Sequence, residues 1–180
     1  MAFAIASLAP MHTVEWRLIR VSDTGPVDVV TTLDQAGTVV TDANIRFFLS
    51  EYVMKRESFI PPEAAHNFRV VGLMSDPNEQ RRVTELLRGS NPEAPQNVFG
   101  RTGGYVRITV ESTNILAKGL GIVDFAKEER TDPTTVGKVT RWRATVSYTV
   151  SINAKMKDPD RNLNPLGFQV HSYHADAVVR

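Results

Sequence analysis

A strict alternation of apolar and polar side chains between residues 139 and 152 is the clearest pattern in this sequence. One set of alternate positions is nearly all apolar: Trp142, Ala144, Val146, Tyr148, Val150 and Ile152. The positions between them are polar: Arg141, Arg143, Thr145, Ser147, Thr149 and Ser151. Because successive side chains of a strand point to opposite faces, the pattern predicts a long strand with one buried and one solvated face.

Shorter stretches predict further strands on both sides of this one. Val106, Ile108 and Val110 alternate with polar residues, a second strand is predicted over 116–130 with Val123 and Phe125 on one face, and a last strand over 167–178. Near the start, residues 13–21 and 27–33 are rich in apolar and β-branched residues, and the turn formers of 22–26 separate them. That arrangement predicts a hairpin.

The stretch between the hairpin and the later strands has helical periodicity. The spacing of one helical face predicts a first helix capped by Asp42, with these residues on that face: Ile45, Phe48, Leu49, Tyr52, Val53 and Arg56. A second helix is predicted over 63–74, with Ala65, Phe68 and Val71 or Gly72 facing inward.

A third helix has the strongest start signal of the three. Asp76 is its predicted cap, Pro77 its first residue, and Glu79 stands where a capping box needs an acid. The residues predicted to face the core are Val83, Leu86 and Leu87. Arg88-Gly89 ends the helix, and residues 90–104 are predicted to form a loop.

The order of elements is therefore a short hairpin, three helices, and four strands joined by tight connections. Helices grouped on one side of a curved antiparallel sheet give an α+β domain. One arrangement that fits is the cone-shaped fold of the nuclear transport factor 2-like group. A length of 180 residues suits one domain with a core that needs no disulfide or metal.

Composition and charge exclude several kinds of function. The chain has no cysteine, which rules out a disulfide framework, a thiolate zinc site and a cysteine nucleophile. The formal net charge of +1 argues against a nucleic-acid-binding protein, which usually carries a strong basic excess. No GK[ST] follows a glycine-rich loop, and neither G-x-S-x-G nor HExxH occurs.

Charged and histidine side chains supply few candidates for a reactive site. His171 and His174 lie three apart in a predicted strand, so opposite faces are expected and they cannot bind one metal ion together. Asp124 and Glu128 share a strand face, which is interpreted as a solvated edge and not as an acid–base pair. Likewise, the arginines that flank Trp142 are expected to face water while the tryptophan faces the core.

The first residues leave two interpretations open. Residues 2–9 are apolar and uncharged until Pro10, a stretch far shorter than the ~20 residues that cross a membrane. The stretch is either a poorly ordered tail or the outer end of a transmembrane helix. Periodicity and composition do not separate these two.

One segment is unusual enough to indicate a family: Asn164-Pro165-Leu166-Gly167-Phe168-Gln169-Val170-His171-Ser172-Tyr173. It resembles the Asn-Pro-x-Gly segment and following strand of the eighth VirB-type subunit, the inner-membrane assembly subunit of bacterial type IV secretion systems. Four other stretches agree with that family in the same order: residues 28–31, residues 48–57, residues 73–75, and Trp142 with Ala144 and Tyr148. The resemblance covers residues 8 to 176.

This resemblance implies a location and a role. It implies a nuclear transport factor 2-like domain in the periplasm over residues 12–180, with residues 1–11 as the remnant of a transmembrane helix end and linker. The family is anchored to the inner membrane by one helix, self-associates commonly as dimers, and contacts other subunits of the channel. It implies no catalytic activity, no cofactor and no direct contact with nucleic acid.

The resemblance also implies an assembly or dimer interface. The residues are Asn164, Pro165, Leu166 and Gly167 of the Asn-Pro-x-Gly segment, together with Phe48, Tyr52 and Arg56 on the first helix. Pro165 fixes its own φ, and Gly167 permits a backbone angle that other residues resist, so the segment predicts a rigid turn before the last strand. That turn either presents an interface or only shapes the fold. Tyr52 is an interface candidate by the resemblance, whereas the sequence by itself favours a core position for it.

Some positions depart from the family pattern. Trp16-Arg17 stands where a Pro-aromatic pair is expected, Ser22 where an Asp is expected, and His174 where an Arg is common. These differences leave the fold expectation intact but weaken any partner contact inferred at those side chains.

The nuclear transport factor 2-like fold also carries enzymes and small-molecule binders of the ketosteroid-isomerase group, so fold alone cannot decide the function. An enzyme of that kind needs a roomy interior with an ionisable side chain inside it. The bulky apolar face that contains Trp142, Val146 and Tyr148 instead predicts a filled core. A scaffold subunit is therefore the first hypothesis and a small-molecule binder or enzyme the second. A nucleic-acid module is the third.

Overall fold

The computed structural model describes residues 18–20, 28–30, 40–134, 136–152 and 154–178, and the chain divides into two compact units, Met1–Val39 and Val40–Arg180. In the first unit, β1 (Leu18–Arg20) pairs antiparallel with β2 (Asp28–Val30), which confirms the predicted hairpin strands. The expected boundary at residues 11 and 12, and the departures at Trp16-Arg17 and Ser22, lie outside the described residues. Within the described residues, no helix has the length and apolar character needed to cross a membrane.

Three helices follow in the second unit, close to where the sequence predicts them. They are α1 (Asp42–Glu57), α2 (Pro61–Leu73) and α3 (Pro77–Leu86). The cap of α1 is Thr41 and not Asp42, because the Thr41 hydroxyl accepts the Asn44 N–H at 3.3 Å. Helix α2 begins two residues before the prediction because its proline pair occupies the first turn, where no N–H is needed.

The inward faces of α2 and α3 correct two predictions. Asn67, Val70 and Val71 are the buried residues of α2, whereas Ala65 is exposed and Phe68 only half-buried. On α3, Val83 is buried as predicted, but Leu86 is 41% exposed.

Asp76 caps α3 as predicted, but only half of the capping box forms. Its Oδ1 accepts the Glu79 N–H at 2.8 Å. The second half, in which the Glu79 side chain reaches back to the Asp76 N–H, is wrong, because that N–H donates to the Val170 carbonyl. The Glu79 carboxylate is therefore free to enter the interior.

Four antiparallel strands in the order β3-β4-β5-β6 form the sheet. They are β3 (Tyr105–Ala117), β4 (Leu120–Arg130), β5 (Lys138–Val150) and β6 (Phe168–Ala177). The predicted second strand began too early, because Leu116 belongs to β3 and the turn through Gly119 separates the two strands. Asp124 and Glu128 lie on β4, which is an interior strand, so they are not at a sheet edge.

The helices cover one face of this sheet and form the core with it. The apolar face of β5 predicted from the alternation points into the core, with Ala144, Val146 and Tyr148 buried. Helix α1 lies directly on β4, because a Cβ added to Gly121 would come within 2.5 Å of Leu49 Cδ1. This helix-on-sheet arrangement confirms the α+β class.

Two connections contain helices that the sequence analysis missed. The predicted loop of residues 90–104 includes α4 (Pro95–Val98), and the link from β5 to β6 includes α5 (Asp158–Leu163). That last link is therefore not the tight connection that was predicted. Helices of four and six residues are too short to show a periodic pattern.

A bulge in β6 overturns the expectation for the histidines. Ser172 pairs with Ser147 and Val170 pairs with Tyr148, so His171 is an extra residue on its strand. The bulge moves the inward positions from Phe168 and Val170 to the half-buried Tyr173 and Ala175. His171 and His174 consequently lie on the same outer face, because a bulge breaks the period-two rule.

Candidate protein-interaction site

The turn before β6 is held by the side chain of Asn164, which is fully buried. Its amide nitrogen donates to the Phe168 carbonyl at 2.9 Å and to the Leu73 carbonyl at 3.2 Å. Its oxygen accepts the Phe168 N–H at 2.8 Å. Because these bonds join the turn to the end of α2 and to the first residue of β6, Asn164 fixes both at once.

Gly167 supplies the conformation that closes the turn. Its φ is +58°, in the left-handed region, and a Cβ there would overlap the carbonyl oxygen of Ser151. The Ser151 N–H donates to the Gly167 carbonyl at 3.1 Å, so the two backbones are pressed together. A residue with a side chain would be strained and would also clash.

The other two residues of the turn point in different directions. Leu166 is buried in the core, whereas Pro165 is exposed. Pro165 forms one wall of a surface groove of about 290 Å³ between α1, α2 and α5. The apolar residues of this groove are Phe47, Phe48, Val70, Met74, Leu163 and Pro165, and its polar residues are Glu51, Lys55, His66 and Asn162. We call it the α1–α5 groove.

On α1, the exposed aromatic residue of this groove is one that the sequence analysis did not single out. Phe48 and Tyr52 are buried, whereas Phe47 is 57% exposed. The rings of Phe47 and Phe48 meet edge to face with centroids 5.4 Å apart. The sequence did contain a signal for Phe47, since a large aromatic residue on the polar side of an amphipathic helix can indicate an interaction surface.

Arg56 and Tyr52 belong to a buried polar cluster that links α1 to α3 and β6. Arg56 Nη1 lies 2.7 Å from Oε1 of the fully buried Glu79 and donates to the Tyr52 hydroxyl at 3.2 Å. The Tyr52 hydroxyl is also 3.0 Å from Ser75 Oγ. Although the Arg56–Glu79 pair is close, its approach lacks hydrogen-bond geometry. Glu79 Oε1 therefore has this ionic contact but no hydrogen bond in the described part of the chain, and Arg56 Nε, 3.9 Å from Glu57 Oε1, has none there either.

Tyr173 completes this cluster from β6. The Arg56 guanidinium lies 4.1 Å from the centre of its ring, and its hydroxyl donates to Glu57 Oε1 at 2.8 Å. Burial, followed by the charge of Glu57, raises the pKa of Tyr173 well above its ordinary value. Burial likewise raises the pKa of Tyr52. Both phenols therefore stay neutral at physiological pH and serve as hydrogen-bonding groups.

The predicted interface residues thus separate into two sets. Asn164, Leu166, Gly167, Phe48 and Tyr52 are buried, and the Arg56 side chain is only 11% exposed. Pro165 is the member that reaches solvent. The structure brings Pro165 and Phe48 into the same groove, while Tyr52 and Arg56 lie in the polar cluster.

On the other face of the sheet, charged residues pair across strands. Arg143 Nε donates to Asp124 Oδ1 at 2.6 Å, and this bond lowers the pKa of the Asp124 carboxyl. Arg141 pairs with Glu111 at 3.0 Å, whereas Glu128 pairs with Arg130 of its own strand at 2.8 Å. The arginines that flank Trp142 are exposed and the tryptophan is half-buried toward the core, which confirms the predicted orientation.

The two histidines of β6 have separate carboxylate partners. His171 Nδ1 lies 3.0 Å from Asp76 Oδ2, and His174 Nε2 lies 3.0 Å from Asp176 Oδ1. No group of three possible metal ligands occurs among the described residues.

Comparison with known proteins identifies the family. A family model described as VirB8 protein matches residues 1–178. The chain belongs to the VirB8 family of type IV secretion proteins. The type IV secretion system protein virB8 of Bartonella henselae is 38% identical over 180 residues, which are 99% of this chain and 75% of that protein.

Solved structures of VirB8-family proteins agree with the architecture. The soluble domain of TrwG from the type IV secretion machinery of Bartonella grahamii aligns with a TM-score of 0.70 at 29% identity, covering 79% of this chain and 99% of that one. The VirB8 protein of Agrobacterium tumefaciens aligns with a TM-score of 0.69 at 22% identity, covering 80% and 99%, a likeness that concerns the fold. The nuclear transport factor 2-like fold expected from the sequence is confirmed.

Proposed function

We propose that this chain is a structural, protein-binding subunit of a type IV secretion system that acts in the periplasm by self-association and by contact with other subunits. Family membership supports the machine, and one observation supports the mode of action. That observation is the exposed Phe47 at a largely apolar groove whose lining includes Pro165, the exposed residue of an otherwise buried turn. Exposed aromatic residues at an apolar depression are typical of protein interfaces.

The α1–α5 groove has the properties that pairing with a second copy requires. A two-fold interface places the same patch on both partners, so the patch must complement itself. Here apolar walls stand next to one acid and one base, Glu51 and Lys55, whose charged groups lie 3.4 Å apart. A patch with both charge signs can face its own copy without net repulsion.

The buried residues of the predicted interface act on this surface indirectly. Asn164, Leu166 and Gly167 hold the turn that carries Pro165, and Phe48 supports the ring of Phe47. Tyr52 and Arg56 belong to the polar cluster that fixes α1 against α3 and β6. We therefore assign these residues to positioning, with Phe47 and Pro165 as the contacting side chains.

A non-catalytic role is supported by the packing of the interior. The rings of Phe48 and Phe168 stack with centroids 5.7 Å apart, and those of Tyr148 and Phe168 with centroids 5.1 Å apart. These side chains occupy the space between helices and sheet in which a ligand-binding relative needs a hollow. The proposal includes no cofactor and, because the net charge is +1, no direct contact with nucleic acid.

The decisive experiment measures solution mass against concentration by analytical ultracentrifugation. We expect the chain to dimerise and Phe47→Glu to weaken dimerisation by about tenfold or more, since central aromatic residues dominate such interfaces. The matched control is Leu116→Glu on β3, where the leucine is 58% exposed, almost the same as Phe47. A chain that remains monomeric at millimolar concentration, or equal effects of both changes, would contradict the proposal.

The proposed location can be tested because the chain contains no cysteine. A single cysteine introduced at the exposed Thr109 of β3 in the membrane-anchored protein would be the one reactive thiol of this sequence. We expect a membrane-impermeant maleimide to label it in cells whose outer membrane alone has been permeabilised. Labelling only after the inner membrane is also broken would contradict a periplasmic domain.

A further inference from the structure

A second groove lies between α2 and α3. Its volume is about 540 Å³, and its apolar lining comes from Phe68, Leu73, Val83 and Leu87. Arg69 and Arg88 also line it, and none of the described residues that line it is acidic. It shares no residue with the α1–α5 groove, so binding in the second groove is independent of self-association through the first.

Gly72 is the feature of this groove that the fold of the chain does not explain. It lies within α2, where glycine is about 1 kcal/mol less favourable than alanine. A Cβ added to it would meet nothing within 4 Å, and its φ is not in the left-handed region. Neither packing nor backbone conformation therefore requires a glycine here. Its effect is to leave space in the groove beside α2 where a side chain would otherwise stand, while its carbonyl already accepts from Gln80 Nε2 at 2.8 Å.

The groove is suited to a partner that inserts side chains and not to one that pairs with it through backbone hydrogen bonds. The carbonyl groups at the end of α3 already have partners, because Leu86 accepts from Asn91 Nδ2 at 2.8 Å and Leu87 from Gln96 Nε2 at 2.6 Å. An extended peptide would find few free backbone groups along two helices. A helix that inserts apolar side chains at positions i, i+3, i+4 and i+7 suits a groove with helical walls.

The surrounding charge selects the kind of helix. Four arginines border the groove and its continuation along α3: Arg69, Arg81, Arg82 and Arg88. Two of these charges are matched by carboxylates, because Arg88 pairs with Glu85 at 2.8 Å and Arg69 pairs with Asp160 at 2.9 Å. The buried Glu79 is matched by Arg56 as well as by Arg82. The four arginines therefore face two solvent-accessible carboxylates, and among the described residues Arg81 donates only to the neutral side chain of Asn78. This positive excess attracts acidic side chains.

We propose that the α2–α3 groove is a docking site for an amphipathic helix of another protein, with apolar residues on one face and acidic residues on its flanks. The apolar residues enter between α2 and α3 above Gly72. The acidic residues meet the arginines of the rim.

The test is an NMR titration of the ¹⁵N-labelled 180-residue chain with synthetic helical peptides. The probe is a peptide of about four helical turns with leucines at i, i+3, i+4 and i+7 and glutamates on its flanks, and its partner has lysines in place of the glutamates. We expect amide shifts in α2 and α3 and an affinity about tenfold higher for the acidic peptide at low salt. Equal affinities, shifts elsewhere, or no shifts at millimolar peptide would overturn the proposal.

Two pairs of variants separate docking from folding. Gly72→Ala should raise the melting temperature yet weaken peptide binding about fivefold, whereas Gly89→Ala, also without atoms near its added Cβ, should leave binding unchanged. Arg88→Glu should abolish the preference for the acidic peptide, and Arg101→Glu in the exposed loop after α4 should not. If Gly72→Ala stabilises the chain without weakening binding, the groove is not the binding site.

Other occupants would be recognised in the same experiment. If the groove amides shift when the chain alone is concentrated, a second copy occupies the groove. If they broaden with phosphatidylglycerol vesicles and the vesicles displace the peptide, an anionic lipid surface occupies it. Either result overturns the assignment to an acidic helix.

Discussion

Two buried polar clusters of the second unit satisfy their hydrogen-bonding groups to different degrees. Asn164 in the turn before β6 is neutral, and both ends of its amide bond to backbone groups. Arg56 and Glu79 beneath α1 are charged, and each retains a buried atom without a hydrogen-bond partner in the described part of the chain. Burying a neutral group costs little free energy when all its hydrogen bonds are made. An ion pair, in contrast, must offset the lost hydration of both charged members.

This difference indicates different roles for the two clusters. The Asn164 turn is a clamp whose geometry is fixed by backbone groups, so it can hold Pro165 at one position in the α1–α5 groove. In the Arg56–Glu79 pair, each charge is compensated by the other. Arg56 also contacts the ring of Tyr173 and donates to the Tyr52 hydroxyl. Removing one charge should therefore cost more than removing both.

The largest effect is expected at Gly167, because the turn before β6 has no space for a side chain at this position. Gly167→Ala forces a side chain into a left-handed conformation and against the Ser151 carbonyl oxygen. The free energy of unfolding should fall by about 4 kcal/mol, from backbone strain and overpacking together. Urea denaturation followed by circular dichroism measures it, with Gly89→Ala as a control expected to change stability by less than about 0.5 kcal/mol. Equal effects of the two changes would mean that the turn is not rigid.

Most of the fold could be predicted because its strands follow a simple rule. The alternation along β5 defines a buried and a solvated face without reference to any other part of the chain. The face of α2 was assigned only in part: Val71 is buried as predicted, but Ala65 is exposed and Phe68 is half-buried. The periodic pattern does not distinguish these positions from Asn67 and Val70, because the sheet decides which face is buried. The bulge at His171 was also beyond local reasoning, since it depends on the pairing with β5.

The candidate site could be predicted only where residue types are unusual. Asn164, Pro165 and Gly167 were singled out by their turn chemistry, and the structure gives each a distinct position. Phe47 was passed over because the periodic pattern assigns its position to the polar face. Glu79 was interpreted as a local capping residue, whereas its burial depends on Arg56, which lies in a different helix.

Arg56→Met tests the charged cluster and should have the second largest effect. It leaves Glu79 buried with only the largely exposed Arg82 as an ionic partner, so the free energy of unfolding should fall by about 3 kcal/mol. The double change Arg56→Met with Glu79→Leu removes both charges and should recover most of that loss. Urea denaturation of both single variants and the double variant gives the coupling. Additive losses would show that the two charges do not depend on each other.

Asp76 is an intermediate case, a charged group with saturated partners near the surface, and it should show the smallest effect. The pKa of its carboxyl is lowered from the ordinary value of 3.8, first by the hydrogen bond from the Glu79 N–H and then by His171. Because the pKa of this carboxyl is lower in the folded chain, the carboxylate stabilises the fold fully at pH values above its ordinary pKa. This contribution is lost as the pH falls through the lower pKa of the folded state.

Asp76→Asn keeps the helix cap and removes the charge, so it should cost about 0.5 kcal/mol at pH 7 and nothing at about pH 2. Denaturation curves at both pH values measure this. The control is Asp42→Asn in the first turn of α1, whose exposed carboxylate is 4.0 Å from Arg46, because surface pairs of this kind contribute little. A loss for Asp76→Asn that persists at pH 2 would place the contribution in the cap and not in the charge. Saturation of hydrogen-bond partners would then matter more than charge, and the contrast between Asn164 and the Arg56–Glu79 pair would rest on the atoms of that pair that lack hydrogen bonds.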